Sequence, residues 1–262
     1  MACIRRCSKV RDDVYERYEA FEMSLVGRIR RATQKLGLDV TRFGDVKYNQ
    51  VGRLSLALRY HAVDLIIDIG ANDGGYAREM RAYGYSGRFL SFEPLAEAHR
   101  GLVAASKGDQ RWLVADRMAI GSFDGEVDIH VAENSVSSSI LEVGELHTGA
   151  EPKARTTRIE KVPIRTLDSI DHPAIRAARK RFLKIDTQGY EGRVLDGAAK
   201  SLQSTCGVQL ELSVVALYEG QELYMEIFER LRVSGFELWG LMPGFVDTAT
   251  GRTLQFDGVF FR

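Results

Sequence analysis

From Val63 onward the chain alternates short apolar runs with amphipathic stretches. The runs VDLIIDIG (63–70), GRFLSFEP (87–94), RWLVADRMAIG (111–121), RFLKIDTQG (181–189), GVQLELSV (207–214), FELWGLM (236–242) and TLQFDGVFF (253–261) predict seven strands. Several are continuously apolar or end in an acid followed by Gly or Pro, the pattern of parallel strands covered on both faces. Helices are predicted at 75–84, 95–106, 190–204 and 219–234, the last closed by Gly235. Strand alternating with helix implies an α/β fold with a doubly wound, mostly parallel sheet. Only MPGFVDTATGR separates the last two strands, too short for a crossover, so they are expected to form an antiparallel pair at the sheet edge. Between the third and fourth strands EVDIHVA (126–132) and RIEKVPIRTL (158–167) alternate apolar with polar residues, predicting an inserted strand, a mobile loop and a second strand.

Ahead of this body, Val10, Val14, Tyr18, Phe21, Leu25 and Ile29 recur at steps of three or four, reading as one or two amphipathic helices stopped at Gly37. Residues 1–50 are expected to form a helical extension that docks on the body, covers a substrate cleft as a lid, or serves as the arm of a homodimer. Residues 51–262 are expected to form one α/β domain.

Composition narrows the function. At 262 residues, 45% hydrophobic and 27% charged, the chain is long and apolar enough for a substantial core, which excludes a disordered or collagen-like protein. The 36 basic and 36 acidic side chains cancel, which argues against a nucleic-acid partner. Residues 1–50 hold 11 basic and 7 acidic side chains, a modest surplus that suits an acidic surface, peripheral membrane contact or simply a solvated face. Cys3, Cys7 and Cys206 form no Cys-x-x-Cys pair. No run reaches the roughly 18 to 20 apolar residues of a membrane span, and the acid-rich first 20 residues lack a secretory core. A cytoplasmic protein is the expectation.

The candidate chemistry begins at Asp68-Ile69-Gly70-Ala71-Asn72-Asp73-Gly74-Gly75, where the first strand gives way to a helix. In a doubly wound sheet cofactors bind beyond such a carboxyl end. Gly70 and Gly75 keep the outer positions of G-x-G-x-x-G, but Asn72 replaces the middle glycine that lets backbone approach a pyrophosphate. Asp68 and Asp73 would repel a diphosphate and suit a ligand bearing an ammonium and a sulfonium. The loop, with Gly70, Asn72 and Gly74, therefore favours S-adenosylmethionine over NAD. Glu93, ending the second strand before Pro94, is placed to accept from both ribose hydroxyls, and Asp116, after the third, from the adenine amino group. An acid at a strand end also serves as a helix cap.

IIDIGANDGGYAREMRAYGYSGRFLSFEP (66–94), VADRMAIGSFDGEVDIHV (114–131), SVSSSIL (135–141), VPIRTLDSI (162–170) and FLKIDTQGYEGRVLDGA (182–198) together resemble the FkbM family of S-adenosylmethionine-dependent methyltransferases over about residues 50–262. The basic helical entry also resembles actinobacterial, including mycobacterial, sugar methyltransferases. The resemblance implies a class I, Rossmann-like methyltransferase fold. It further implies O-methylation of a sugar or polyketide hydroxyl in glycolipid, polysaccharide or secondary-metabolite synthesis, with a small-molecule or lipid-linked glycan as acceptor.

Such a reaction needs the acceptor proton removed by a base or its pKa lowered by a metal. In metal-dependent methyltransferases of this fold, carboxylates ending the fourth and fifth strands hold Mg²⁺, and Asp186 and Glu211 match those places; each also reads as a structural carboxylate. Without metal the base is Asp186, Glu191 or a histidine of the insertion, His147 or His130. Asn134, Ser135, Ser137, Ser138 and Ser139 offer polar contacts, and Tyr218, Tyr224, Trp239 and Phe245 offer a stacking wall. Two competing readings are methylation of nucleic acid or protein, disfavoured by the neutral charge, and a cofactor-binding module without chemistry.

Overall fold

The computed structural model describes residues 25–38, 40, 46 and 49–262. The chain divides into two compact units, one running to Arg53 and the other Leu54–Arg262. In the first, helix α1 (Leu25–Gln34) ends in a turn in which Gly37 takes the left-handed conformation, φ 75°. The expected stripe residues Val10, Val14, Tyr18 and Phe21 lie outside the described residues. Helix α2 (Gln50–Tyr60) leads into the second unit, where Leu54, Ala57 and Leu58 are buried.

The second unit is organised by β1 (Leu65–Ile69), β2 (Arg88–Phe92), β3 (Trp112–Val114), β7 (Arg181–Ile185), β8 (Thr205–Ser213), β9 (Glu237–Pro243) and β10 (Gln255–Phe261). They form one seven-stranded sheet in the order β3-β2-β1-β7-β8-β10-β9. Numbered within this sheet the order is 3-2-1-4-5-7-6, the class I methyltransferase layout. The first five strands run parallel and β10 is antiparallel to both neighbours. Every residue of β1 is buried, the apolar ones as a strand covered on both faces demands and Asp68 among them. Helix α3 (Gly75–Ala82) follows β1, and α4 (Ala96–Ser106) follows β2. Among the described residues no helix is long and apolar enough to cross a membrane.

Three elements depart from the sequence pattern, the first two for a nonlocal reason. The run 111–121 is not one strand. After Val114 the chain bends at Asp116 and Arg117, whose guanidinium reaches Glu160 Oε1 at 2.6 Å, and β4 (Ala119–Ile120) joins a second, three-stranded sheet. In that sheet β5 (Gly125–Ala132) and β6 (Thr156–Arg165) pair antiparallel, Val127 opposite Val162, and bury Ile129, Val131, Val162 and Ile164 in the main core. The segment between them carries a short helix, α5 (Glu145–Ala150). A further short helix, α6 (Pro173–Ala177), precedes β7. Lastly, the helix expected at 190–204 is two, α7 (Glu191–Asp196) and α8 (Ala199–Gln203). The break falls where Gly197 lies against the Gly121 carbonyl: a Cβ there would meet that oxygen at 1.8 Å. Helix α9 (Tyr224–Val233) starts five residues later than the 219–234 pattern implied.

The Gly197 contact generates a paired test. Gly197→Ala forces backbone apart and is expected to destabilise by about 2 kcal/mol or more. Gly149→Ala, inside α5 with no atom within 4 Å of the added Cβ, is expected to be neutral or to stabilise by up to about 1 kcal/mol. Urea unfolding of the two variants measures both; equal effects would show that the Gly121 contact does not constrain the chain.

Candidate functional site

The carboxyl ends of β1, β2, β7 and β8 converge on a cavity of about 370 Å³. It starts with a close approach of backbones. Gly70, φ 77°, lies so near β7 that a Cβ would sit 1.9 Å from the Asp186 carbonyl oxygen, so only glycine allows the turn. The turn is held from the other side by Glu93, whose Oε2 accepts from the Asn72 amide at 2.8 Å and whose Oε1 accepts from the Leu95 amide at 2.8 Å. Each carboxylate oxygen keeps a further lone pair, and Glu93 lines the cavity. Burial lifts its carboxyl to about 7, partly countered by those two amides.

Beneath the loop lies a residue the sequence reading missed. Lys184, on β7 and 7% exposed, sets its Nζ 3.5 Å from Asp68 Oδ1, 3.3 Å from Asp186 Oδ2 and 3.2 Å from the Gly70 carbonyl. It also lies 5.4 Å from the Tyr76 ring centre. Burial lifts the Asp68 carboxyl above its ordinary range although the Lys184 ammonium opposes the shift. Asp68 is fully buried and does not line the cavity, and Asp73 is exposed and paired with Arg78 at 3.0 Å. Both loop acids thus have their own cations, which corrects the expectation that they face a ligand. A lysine between the apolar residues Leu183 and Ile185 of a buried strand was the available signal.

The acidity lies instead in the wall. Glu93, Glu151, Asp186 and Glu211 line the cavity, and among the described residues no lysine or arginine does. Gln188 organises the polar end: its Nε2 donates to Asp186 Oδ1 at 2.8 Å and to Glu211 Oε2 at 2.7 Å. Its Oε1 accepts from the Tyr218 hydroxyl at 2.8 Å, and its carbonyl accepts from Ser139 Oγ at 2.7 Å. Gln188 has φ 55°, and Asn72 and Ser135, at 47° and 50°, are also left-handed and also line the cavity. Such backbone costs on the order of 1 kcal/mol per residue and concentrates at functional sites.

The other predicted residues divide. Gly70, Asn72, Glu93, Asp186, Glu211 and His147 come together around the cavity. Gly74 does not: a Cβ there would meet the Trp112 ring at 2.6 Å, so its bareness serves packing of the turn. Asp116 is exposed and outside the cavity because β3 stops at Val114; Met118 lies in the wall instead. Glu191 is buried within the turn after β7, its Oε1 accepting from Thr187 N at 2.9 Å, Thr187 Oγ1 at 3.2 Å and Gly189 N at 3.2 Å. It is a local cap outside the cavity rather than a base.

His130 is absent from the wall, its backbone pairing with Ser139. Ser137, Ser138 and Ser139 line the cavity, but their hydroxyls bond within the protein, to Asn134, Ala132 and Gln188. Tyr218 supports Gln188, Tyr224 packs beside Phe228 and Phe256, and Trp239 stacks near Tyr60 on the far edge; of the expected aromatic wall only Phe245 lines the cavity.

The Mg²⁺ expectation is also corrected. The Gln188 amide nitrogen bridges Asp186 and Glu211 where an ion would have to sit, and Glu211 Oε2 already accepts from Gln255 at 2.9 Å. Burial, reinforced by the neighbouring carboxylates, pushes Glu211 well above the ordinary range, which favours its neutral form. Among the described residues no group of three His, Cys, Asp or Glu side chains is placed to hold a metal.

The model of the methyltransferase FkbM domain matches residues 68–238. No curated protein matches the chain. Similar solved structures include the methyltransferase domain of bacterial CtHen1, at 10% identity over 83% of this chain and 100% of that one, TM-score 0.45. Aeropyrum pernix fibrillarin, solved with natively bound S-adenosyl-L-methionine, is 10% identical over 76% of this chain and 66% of its own, TM-score 0.39. The mitomycin 7-O-methyltransferase MmcR is 11% identical over 81% and 52%, TM-score 0.43.

The bridging amide predicts indifference to metal. Because a ligand of the native state alone raises the melting temperature, Mg²⁺ or EDTA is expected to move it by less than about 1 °C. A rise of several degrees with Mg²⁺ that Asp186→Asn abolishes would contradict the assignment.

Proposed function

The chain belongs to the FkbM family of methyltransferases, and on that premise we propose that it transfers a methyl group from S-adenosylmethionine to a sugar hydroxyl. The observation that carries this reading is the composition of the wall: four carboxyl groups and, among the described residues, neither lysine nor arginine around a cavity at the carboxyl ends of β1, β2, β7 and β8. A diphosphate is best held by cationic side chains, and among the described residues none lines this wall, whereas a sulfonium is favoured beside carboxyl groups.

When bound, the donor supplies a methyl group made electrophilic by the attached sulfonium. The residues of the chain then have separable tasks. Glu93, fixed by the Asn72 and Leu95 amides, has acceptor capacity for ribose hydroxyls on the oxygens that face the cavity. Phe92, Leu95, Met118 and Ile120 offer an apolar slot for a base. At the polar end Asp186 and Glu211 offer carboxyl oxygens and Gln255 a carboxamide oxygen to a polyol. That mixture supports a sugar over an apolar acceptor. Holding the acceptor oxygen behind the methyl carbon supplies much of the acceleration.

Glu93→Ala is expected to weaken binding of S-adenosylhomocysteine on the order of tenfold to a hundredfold, the loss of one or two charge-assisted hydrogen bonds. The wild-type affinity is expected to level off above about pH 8 and to fall as pH drops through 7, because the Glu93 carboxyl, raised to about 7, must be ionised to accept from both hydroxyls. Glu93→Gln removes that dependence. Isothermal titration calorimetry from pH 6 to 8.5 tests all three; an unchanged affinity in Glu93→Ala would remove the ribose assignment.

A further inference from the structure

Methylating a hydroxyl releases a proton, and most polar groups of the wall are already committed elsewhere. Glu93 holds the Asn72 and Leu95 amides and, on the reading above, the ribose. Glu151 caps the turn after α5 through the Lys153 amide. Glu211 Oε2 takes two carboxamides, and burial, reinforced by Asp186 and Glu191, favours its neutral form. The Tyr218 hydroxyl is held protonated by burial, and the Nδ1 of His147 is closed off in the packing. Asp186 is different. It lines the cavity with its side chain 36% exposed, and its carboxylate is fixed at both oxygens. Lys184 Nζ stands 3.3 Å from Oδ2, and Gln188 Nε2 donates to Oδ1 at 2.8 Å. Each takes one lone pair of its oxygen and leaves a second. The backbone beneath is pinned where Gly70 passes the Asp186 carbonyl.

We propose that Asp186 is the general base of the methyl transfer, with the acceptor hydroxyl donating to one of its open lone pairs. This deepens the methyl-transfer reading above and rests on it. As the hydroxyl oxygen bonds to the methyl carbon, the carbon–sulfur bond breaks and its electron pair stays on sulfur. The hydroxyl proton passes to the Asp186 carboxylate. The sulfonium becomes a neutral thioether and the carboxylate a neutral acid, so one positive and one negative charge vanish together and the net charge of the cavity is unchanged. A strong base is not required. Once the carbon–oxygen bond begins to form, the proton belongs to a developing oxonium, far more acidic than a carboxylic acid. The groups that act on Asp186 are Lys184 on its own strand, Asp68 on β1, Glu211 on β8, Asp257 on β10, Glu191 on α7 and the Tyr218 hydroxyl. Burial opposes the charge on Lys184, but Asp186 and Asp68 outweigh it and keep the ammonium. That ammonium therefore stays in place to orient the carboxylate.

Calorimetric titration with S-adenosylhomocysteine, and transfer from tritiated S-adenosylmethionine to a panel of methyl glycosides, test this on the intact protein. Asp186→Asn is expected to bind S-adenosylhomocysteine within about twofold of wild type, since the base touches the acceptor and not the donor product. A loss as large as that of Glu93→Ala overturns the proposal. For any glycoside the wild type methylates, Asp186→Asn is expected to lower kcat on the order of 10²-fold to 10⁴-fold, and kcat/KM with it. Asp186→Ala is expected to recover part of its turnover with added formate, which supplies the missing carboxylate. Asp186→Glu keeps a counter-ion for Lys184, so it is expected to fold with wild-type donor affinity while its displaced carboxylate lowers turnover. Should loss of the ion pair unfold the other two variants, this one carries the test. Wild-type turnover in any of the three, or no rescue by formate, overturns the proposal. Failure of the wild type to bind S-adenosylhomocysteine would instead bring down the methyl-transfer reading, and donor binding with no glycoside methylated would bring down the sugar acceptor.

Discussion

The site depends on one buried ammonium. Lys184 Nζ sits within 3.5 Å of Asp68, Asp186 and the Gly70 carbonyl, joining the carboxyl ends of β1 and β7 at the point where Gly70 must pass under the Asp186 backbone. Remove the cation and two carboxylates are left facing each other in a low-dielectric interior, one of them fully buried, an arrangement that costs about 3–5 kcal/mol when a single partner is lost. The pair is therefore less a source of net stability than a condition for the loop to close where it does. It also decides which acids are available to a ligand. Asp68 is neutralised below the floor, while Glu93, Glu151, Asp186 and Glu211 set the character of the wall.

Around that floor the protein holds a polar end that a flexible chain would not. Gln188 keeps a left-handed backbone because four groups fix it at once: Asp186, Glu211, Tyr218 and Ser139. Its carboxamide does for two carboxylates what a divalent ion does elsewhere, satisfying both from one point without changing the charge of the cavity. The serine-rich segment belongs to the same scaffold: Ser139 Oγ donates to the Gln188 carbonyl, while Ser137 Oγ and Ser138 Oγ accept from Asn134 and the Ala132 amide.

Much of this was legible along the chain. Buried parallel strands announce themselves as continuous apolar runs, so β1, β2, β7 and β8 and their helices could be read directly, and a two-strand finish without a crossover gave the antiparallel β10. Glu93, Asp186 and Glu211 could be found because an acid at a strand end needs a reason. The misreadings share one cause: sequence position does not report which partner a side chain finds. Asp116 was placed at a strand end, but β3 stops two residues earlier because Arg117 is drawn to Glu160 on the second sheet. Glu191 sits beside Asp186 in sequence yet turns into its own loop. Lys184 and Tyr218 act through residues 116 and 30 positions away, Asp68 and Gln188, and no local pattern encodes such pairs.

The proposed function depends on the sign of charge the cavity accepts. Calorimetric titration of the same protein with S-adenosylmethionine and, separately, with NAD puts a sulfonium and a diphosphate to the same wall. Saturable binding of S-adenosylmethionine that NAD neither matches nor displaces is the predicted result; NAD competing for the site with comparable affinity would contradict it.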